Sequence, residues 1–258
     1  MPLRMIRRIS GLVSTTPRKQ VFFRPYATTP TPRLITVPYE ALLDDNPDNS
    51  TLGDLIEEAY GEQGLGILTV SGVPGLAPIR ERLLTLGANL ATAPPALLAA
   101  YEDPVSRYGI GWSRGKEALE DGKPDDLKGS YYANPLLDTP TSSHDLLLRY
   151  PAMCGPNIWP SDSFPDFESA FKTAGALVAE TGQVLARQCD RYVRRKRPLA
   201  SSQGGIGPIL ARSRCHKARL LYYFPQPGDN NSGEDSGTSN SWCAWHTVSA
   251  RARAGGRK

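Results

Sequence analysis

Apolar side chains recur at two periods along this chain, and the change of period separates helical from extended stretches. Leu52, Leu55, Ile56 and Tyr60 follow Ser50-Thr51 at i, i+3, i+4 and i+8, the spacing of one helix face. Thr51 and Asp54 have the spacing of a capping box with Asp in the Glu position. A second helix is predicted over Leu76–Ala91, with Ile79, Leu83, Leu84, Leu86 and Leu90 as its apolar set. A short third helix is predicted over 96–102, after the break at Pro94-Pro95. The longest is predicted over 165–195, with Phe167, Phe171, Ala174, Leu177, Val178, Leu185 and Tyr192 as its stripe. Asp162 or Ser163 can cap it, Pro165 suits its first turn, and Arg194-Arg195-Lys196-Arg197 favours its C-terminus. At ~1.5 Å per residue such a helix spans ~45 Å, enough to brace a sheet.

The extended stretches read differently. Leu34–Pro38 is a short strand candidate, and Gly64–Val70 reads as a buried strand closed by the turn Ser71-Gly72-Val73-Pro74-Gly75. His216–Pro225 is a third. In Ser241–Thr247, Trp242, Ala244 and His246 alternate with Cys243, Trp245 and Thr247, which is the period of a half-buried strand. Residues 134–163, 198–214 and 226–240 read as irregular, and the last of these is rich in Gly, Ser, Asn and Asp. No internal repeat is visible, and no run of 18 apolar residues exists, so no membrane span is expected.

Composition is that of a globular chain of 258 residues, 40% hydrophobic and 22% charged, with 24 Gly and 23 Pro. The net charge of +4 hides a division. Arg4, Arg7, Arg8, Arg18, Lys19, Arg24 and Arg33 stand before the first acid, and four more basic residues follow Thr247. The stretch between carries all 26 acidic residues. A body of that sign argues against a nucleic-acid partner. Residues 1–33, with Met5-Ile6-Arg7-Arg8-Ile9-Ser10-Gly11-Leu12-Val13 able to form a basic amphipathic helix, have the profile of a mitochondrial presequence or of a disordered basic tail.

Candidate chemistry is sparse. A neutral imidazole at His246, on a strand facing an apolar cavity, suits Fe(II) or Zn(II), and a hydrogen-bonded core histidine fits the same pattern. Cys154, Cys189, Cys215 and Cys243 form no C-x-x-C pair and read as reduced thiols. Cys215-His216 with Cys243 and His246 would make a zinc site only against the pleat, because successive strand residues face opposite ways. Gly109, Gly111 and Gly115 do not form a dinucleotide fingerprint. Trp112 and Tyr131 read as packing residues, and the basic run at 194–197 reads as a solvated helix end rather than a nuclear signal.

The C-terminal stretches carry a resemblance. Arg219, Tyr222, Tyr223 and Pro225, then a long polar loop, then Trp245-His246-Thr247, resemble the R-x-N-x-Y-P-P strand and the H-T-D-H strand of the isopenicillin N synthase-like, 2-oxoglutarate/Fe(II)-dependent dioxygenases. Gly109-Ile110-Gly111-Trp112-Ser113-Arg114-Gly115-Lys116-Glu117, Asp126–Tyr132 and Ile158-Trp159-Pro160 resemble further segments of that family, and the likeness covers roughly 34–247. It implies an α+β fold in which a helical N-terminal part packs on an incomplete double-stranded β-helix, or jelly roll. The implied parts are a presequence or tail at 1–33, a non-haem dioxygenase N-terminal-like region at 34–200, the start of the oxygenase jelly roll at 201–247 and a basic unstructured tail at 248–258. It implies His246 as the first iron ligand, Tyr223 as a 2-oxoglutarate contact, Fe(II) and 2-oxoglutarate as cofactors and a small molecule as substrate. Two residues after the histidine, where the family has its carboxylate ligand, stands Val248, and Leu221 stands in place of the family's Asn. No histidine follows His246. The expectation is therefore a truncated, inactive oxygenase chain, its last residues translated intron sequence because Val-Ser can be encoded by a 5′ splice consensus. The alternative is a non-catalytic interaction module derived from the family.

Overall fold

The computed structural model describes residues 33–44, 46, 50–198 and 204–225, together with the backbone of 242–249. Of the sequence expectations, the presequence, the polar loop 226–240 and the tail from 250 onward lie outside the described residues. Those that are described belong to one unit, Arg33–Lys258. Its elements in chain order are β1 (Ile35–Pro38), α1 (Tyr39–Leu42), α2 (Ser50–Tyr60), β2 (Leu68–Ser71), α3 (Leu76–Ala91), α4 (Pro95–Ala99), β3 (Gly111–Arg114), β4 (Lys128–Ala133), α5 (His144–Arg149), α6 (Pro151–Cys154), α7 (Phe167–Lys196), α8 (Ile206–Arg212), β5 (His216–Tyr223) and β6 (Trp242–Ser249).

The strands form two sheets. β1 and β2 pair in parallel, and β3-β4-β5-β6 is an antiparallel sheet in that order. The larger sheet takes two strands from before the long helix and two from after it. It begins at Gly111, whose φ of +71° and whose place against the Tyr101 carbonyl leave no room for a Cβ. The mixed α+β class of the sequence reading is present. The four strands of the larger sheet are antiparallel throughout, and no second sheet facing it, as a jelly roll would have, occurs among the described residues.

α7 is the spine, because its two halves serve different cores. Phe167, Ala170, Phe171 and Ala174 pack with Leu83 and Leu90 of α3 and with Trp112, Tyr131, Ala218 and Leu220 of the sheet. Farther along, Val184 joins Ile35, Val37, Leu42, Leu52 and Ile56 in a second cluster. α3 comes so near the sheet that a Cβ on Gly87 would lie 2.6 Å from Leu220. Two polar residues, Gln188 and Asp190, are also buried on α7, where the stripe predicted only apolar ones. Gln188 donates to the Leu42 and Asp44 carbonyls at 2.7 and 3.0 Å, so its burial satisfies the end of α1. Asp190 accepts from Ile206 and Gly207 at 2.7 and 2.8 Å, capping α8.

Several expectations are corrected. α2 already includes Ser50, which puts Thr51 inside the helix and not at its cap. The apolar run from Gly64 contributes only Leu68–Ser71 to a strand, and Leu65 and Ile67 are exposed. β2 has β1 as its pairing partner, and β1 is only four residues long, so the run outlasts the strand it could pair with. Residues 134–163 and 198–214 are not wholly irregular, since they contain α5, α6 and α8. β6 continues through Val248 and Ser249, paired with Lys217 and His216, where the tail was expected to leave the sheet.

Candidate functional site

The antiparallel register sorts the large sheet into two faces, because directly opposed residues share a side. One face holds Trp112, Tyr131, Ala133, Ala218 and Leu220, and these are the residues buried against α3 and α7. Tyr131 sits at their centre, with Phe167 edge-on at 4.8 Å and its hydroxyl donating to the Ile158 carbonyl. Burial raises that phenol far above its ordinary range. This is a packing role, as the sequence suggested for Trp112 and Tyr131.

The other face holds Ser113, Ser130, Tyr132, Lys217, Arg219, Leu221 and Tyr223. It is polar, and its groups are tied together. Arg219 donates to Ser130 Oγ at 2.8 and 3.1 Å and to Glu117 at 2.7 Å. Glu117 also accepts from Lys128 at 2.7 Å and from the Tyr132 hydroxyl at 3.0 Å. Burial works against ionisation of Glu117, but the hydrogen bonds from Lys128 and Tyr132 and the charge of Arg219 outweigh it and hold the carboxyl below the usual carboxylate range. Burial pushes the Tyr132 phenol up to about 12. Lys217 lies 4.9 Å over the Tyr132 ring and donates to the Ala152 carbonyl at 2.9 Å. Burial first, and the charge of Arg219 second, bring its ammonium down to about 8.

The residues singled out in the sequence fall on this sheet as follows. Tyr223 is half-buried at the end of β5, on the polar face and opposite Trp242. His246 stands opposite Arg219, and Ala244 opposite Leu221, so the register puts the position of His246 on that same face. Tyr223 and His246 are four register positions apart, or ~13 Å along the strands at ~3.3 Å per residue. Leu221, where the resemblance calls for Asn, is almost fully buried. The other two histidines are elsewhere. His144 is exposed at the start of α5. His216 is buried on the helix side, its pKa lowered by that burial, and it lines a cavity of about 810 Å³ with Leu136, Leu137, Gln183 and Arg214.

The donor set does not complete an iron site. On the same face of the pleat the next position after His246 is Val248, and valine has no lone pair. Among the described residues no group of three or more His, Cys, Asp or Glu side chains is placed to hold a metal. A facial triad needs two histidines and a carboxylate on one side, and on this face the described strands offer the position of His246 alone. The anchoring network of Glu117, Lys128, Ser130 and Tyr132 around Arg219 escaped the sequence reading. Its members stood only in separate segments of the resemblance, with nothing to show that they meet, since Glu117 and Arg219 are 102 residues apart.

No helix of the described residues is long and apolar enough to cross a membrane. No protein-family model and no curated protein matches the sequence. Among solved structures, a protein from Caulobacter crescentus described as belonging to the 2OG-Fe(II) oxygenase family is similar with a TM-score of 0.53 and 16% identity, over 78% of this chain and 59% of that one. JOX2 in complex with 2OG, Fe and JA aligns with a TM-score of 0.45 and 15% identity over 83% of this chain and 54% of that one. A full-length Neurospora crassa protein in complex with alpha-KG aligns with 0.47 and 18% over 74% of this chain and 54% of that one. The chain thus spans less than two thirds of each. Over the part it spans, it has the fold of the 2-oxoglutarate/Fe(II) oxygenase structure from Caulobacter crescentus.

Proposed function

We propose that this chain comprises the helical layer and opening strands of a 2-oxoglutarate/Fe(II)-dependent oxygenase acting on a small molecule. His246 occupies the first metal-ligand position and Tyr223 the 2-oxoglutarate contact. One observation carries the reading: the register sets His246 on the same polar face as Arg219 and Tyr223, in a sheet backed by α3 and α7. The separation of Tyr223 from His246 suits groups that meet one elongated ligand at its two ends. With Val248 in the second ligand position, the chain does not hold iron with useful affinity and has no oxygenase turnover of its own.

The test is metal and cosubstrate binding by the purified chain without oxygen. The expected result is no stoichiometric Fe(II) or Mn(II) and no stabilisation by 2-oxoglutarate. Stoichiometric iron with succinate release under air would overturn the inactive assignment. Val248→Asp puts a second donor on the same side of the pleat, and it is expected to bring measurable Mn(II) binding that His246→Ala abolishes. Equal Mn(II) binding with and without His246 would overturn its assignment as a ligand position.

A further inference from the structure

α6 ends at Cys154, and Cys215 stands one residue before β5. Their sulfur atoms are 3.7 Å apart although 61 residues separate them in the chain, and both are free thiols. The two segments are already held together, since Lys217 donates to the Ala152 carbonyl at 2.9 Å. A disulfide has its sulfurs about 2.0 Å apart, so closure requires a movement of side-chain size. Cys189, the other free thiol described, lies elsewhere, on α7 with Ile56, Tyr60 and Tyr192 around it.

We propose that Cys154 and Cys215 form an oxidisable dithiol that a peroxide converts to an intramolecular disulfide, linking α6 to the strand that carries Arg219 and Tyr223. The half-buried Cys215 reacts first. Its sulfur attacks one peroxide oxygen, the O–O bond breaks, and water leaves with the thiol proton, giving a sulfenic acid. The Cys154 sulfur then attacks that of Cys215, the S–O bond breaks, and the hydroxyl leaves as a second water with the Cys154 proton. Two thiols lose two electrons in all, and one peroxide is reduced to two waters. The order follows burial. Cys154 is almost fully enclosed, and burial, with the adjacent Cys215 second, pushes its thiol up to about 11. It is thus a poor first nucleophile near neutral pH and a well-placed second one. The proposal does not depend on the oxygenase reading.

The experiment treats the reduced full-length chain, folded and near neutral pH, with stoichiometric hydrogen peroxide. Remaining thiols are alkylated, the chain is digested without reduction, and the peptides are identified by mass spectrometry. The expected product is a reductant-sensitive cross-link between the peptides of Cys154 and Cys215, with Cys189 alkylated throughout. In urea the same treatment should form this link several-fold more slowly, because the geometry is lost. In Cys154→Ser, Cys215 should accumulate as a sulfenic acid trapped by dimedone, which wild type does not show. Alkylation of both cysteines after peroxide, a Cys215 link to any other cysteine, or an equal rate in urea would overturn the proposal.

Discussion

Glu117 draws together the charged groups of the polar face, accepting from Arg219, Lys128 and the Tyr132 hydroxyl. Its side chain is 43% exposed, so solvent screens each pair and its net worth is about 0.2–1 kcal/mol. Arg219 keeps its two hydrogen bonds to Ser130 when the carboxylate is removed. A double-mutant cycle of Glu117→Gln with Lys128→Met, read by urea unfolding, is therefore expected to give a coupling below about 1 kcal/mol. Lys217 is the reverse case, a cation that burial disfavours. Its folded pKa of about 8 lies below the ~10.4 of a free lysine. Below both values the burial penalty is carried in full. Between them the unfolded chain binds the extra proton, so stability rises with pH by up to about 1.4 kcal/mol per unit. Lys217→Met removes this contribution. Relative to wild type, the variant is expected to be most favoured at about pH 7 and to lose that advantage by about pH 10, measured as the difference between denaturation midpoints.

Among the elements, α8 is the one most dependent on a distant residue. It has seven residues, too few to be stable alone, and its first amides are satisfied by Asp190 from α7. Asp190→Ala strands those donors. It is expected to cost about 1–3 kcal/mol and to raise hydrogen exchange selectively over 206–212, while Asp190→Asn keeps one acceptor and costs less. Between α3 and the sheet the constraint is steric. Gly87→Val would push into Leu220, with an expected loss of about 1–3 kcal/mol, read as a lower midpoint in thermal unfolding.

For the whole molecule, α7 decides cooperativity. It supplies Phe167 and Phe171 to one core and Val184 to the other, so neither cluster can lose its helix without disturbing the second. Tryptophan fluorescence, to which Trp112 and Trp159 in and against the first core contribute beside Trp242 and Trp245 of β6, and far-ultraviolet dichroism are expected to give coincident unfolding curves. Ala179→Pro, between the two halves, removes a helical hydrogen bond and is expected to cost about 3 kcal/mol or more and to split the curves. Coincident curves in this variant would show that α7 does not couple the cores.

Local periodicity was enough for α2, α3, α7 and β6, because each carries a pattern that fits one backbone period. Alternation put His246 on a strand, and the resemblance of Arg219–Pro225 and Trp245–Thr247 named Tyr223 and His246 as site candidates. α5, α6 and α8, of four to seven residues, are too short to show a period, and contacts set them: the Ser143 side chain accepts from Leu146, and Asp190 reaches across to α8. Tertiary structure alone decided which face of β5 is polar, that Glu117 meets Arg219, and that Cys154 meets Cys215. Those encounters join residues 61 and 102 positions apart. Periodicity reports only the side on which a residue lies, whereas the partner it meets there depends on how α7 and the sheet close over one another.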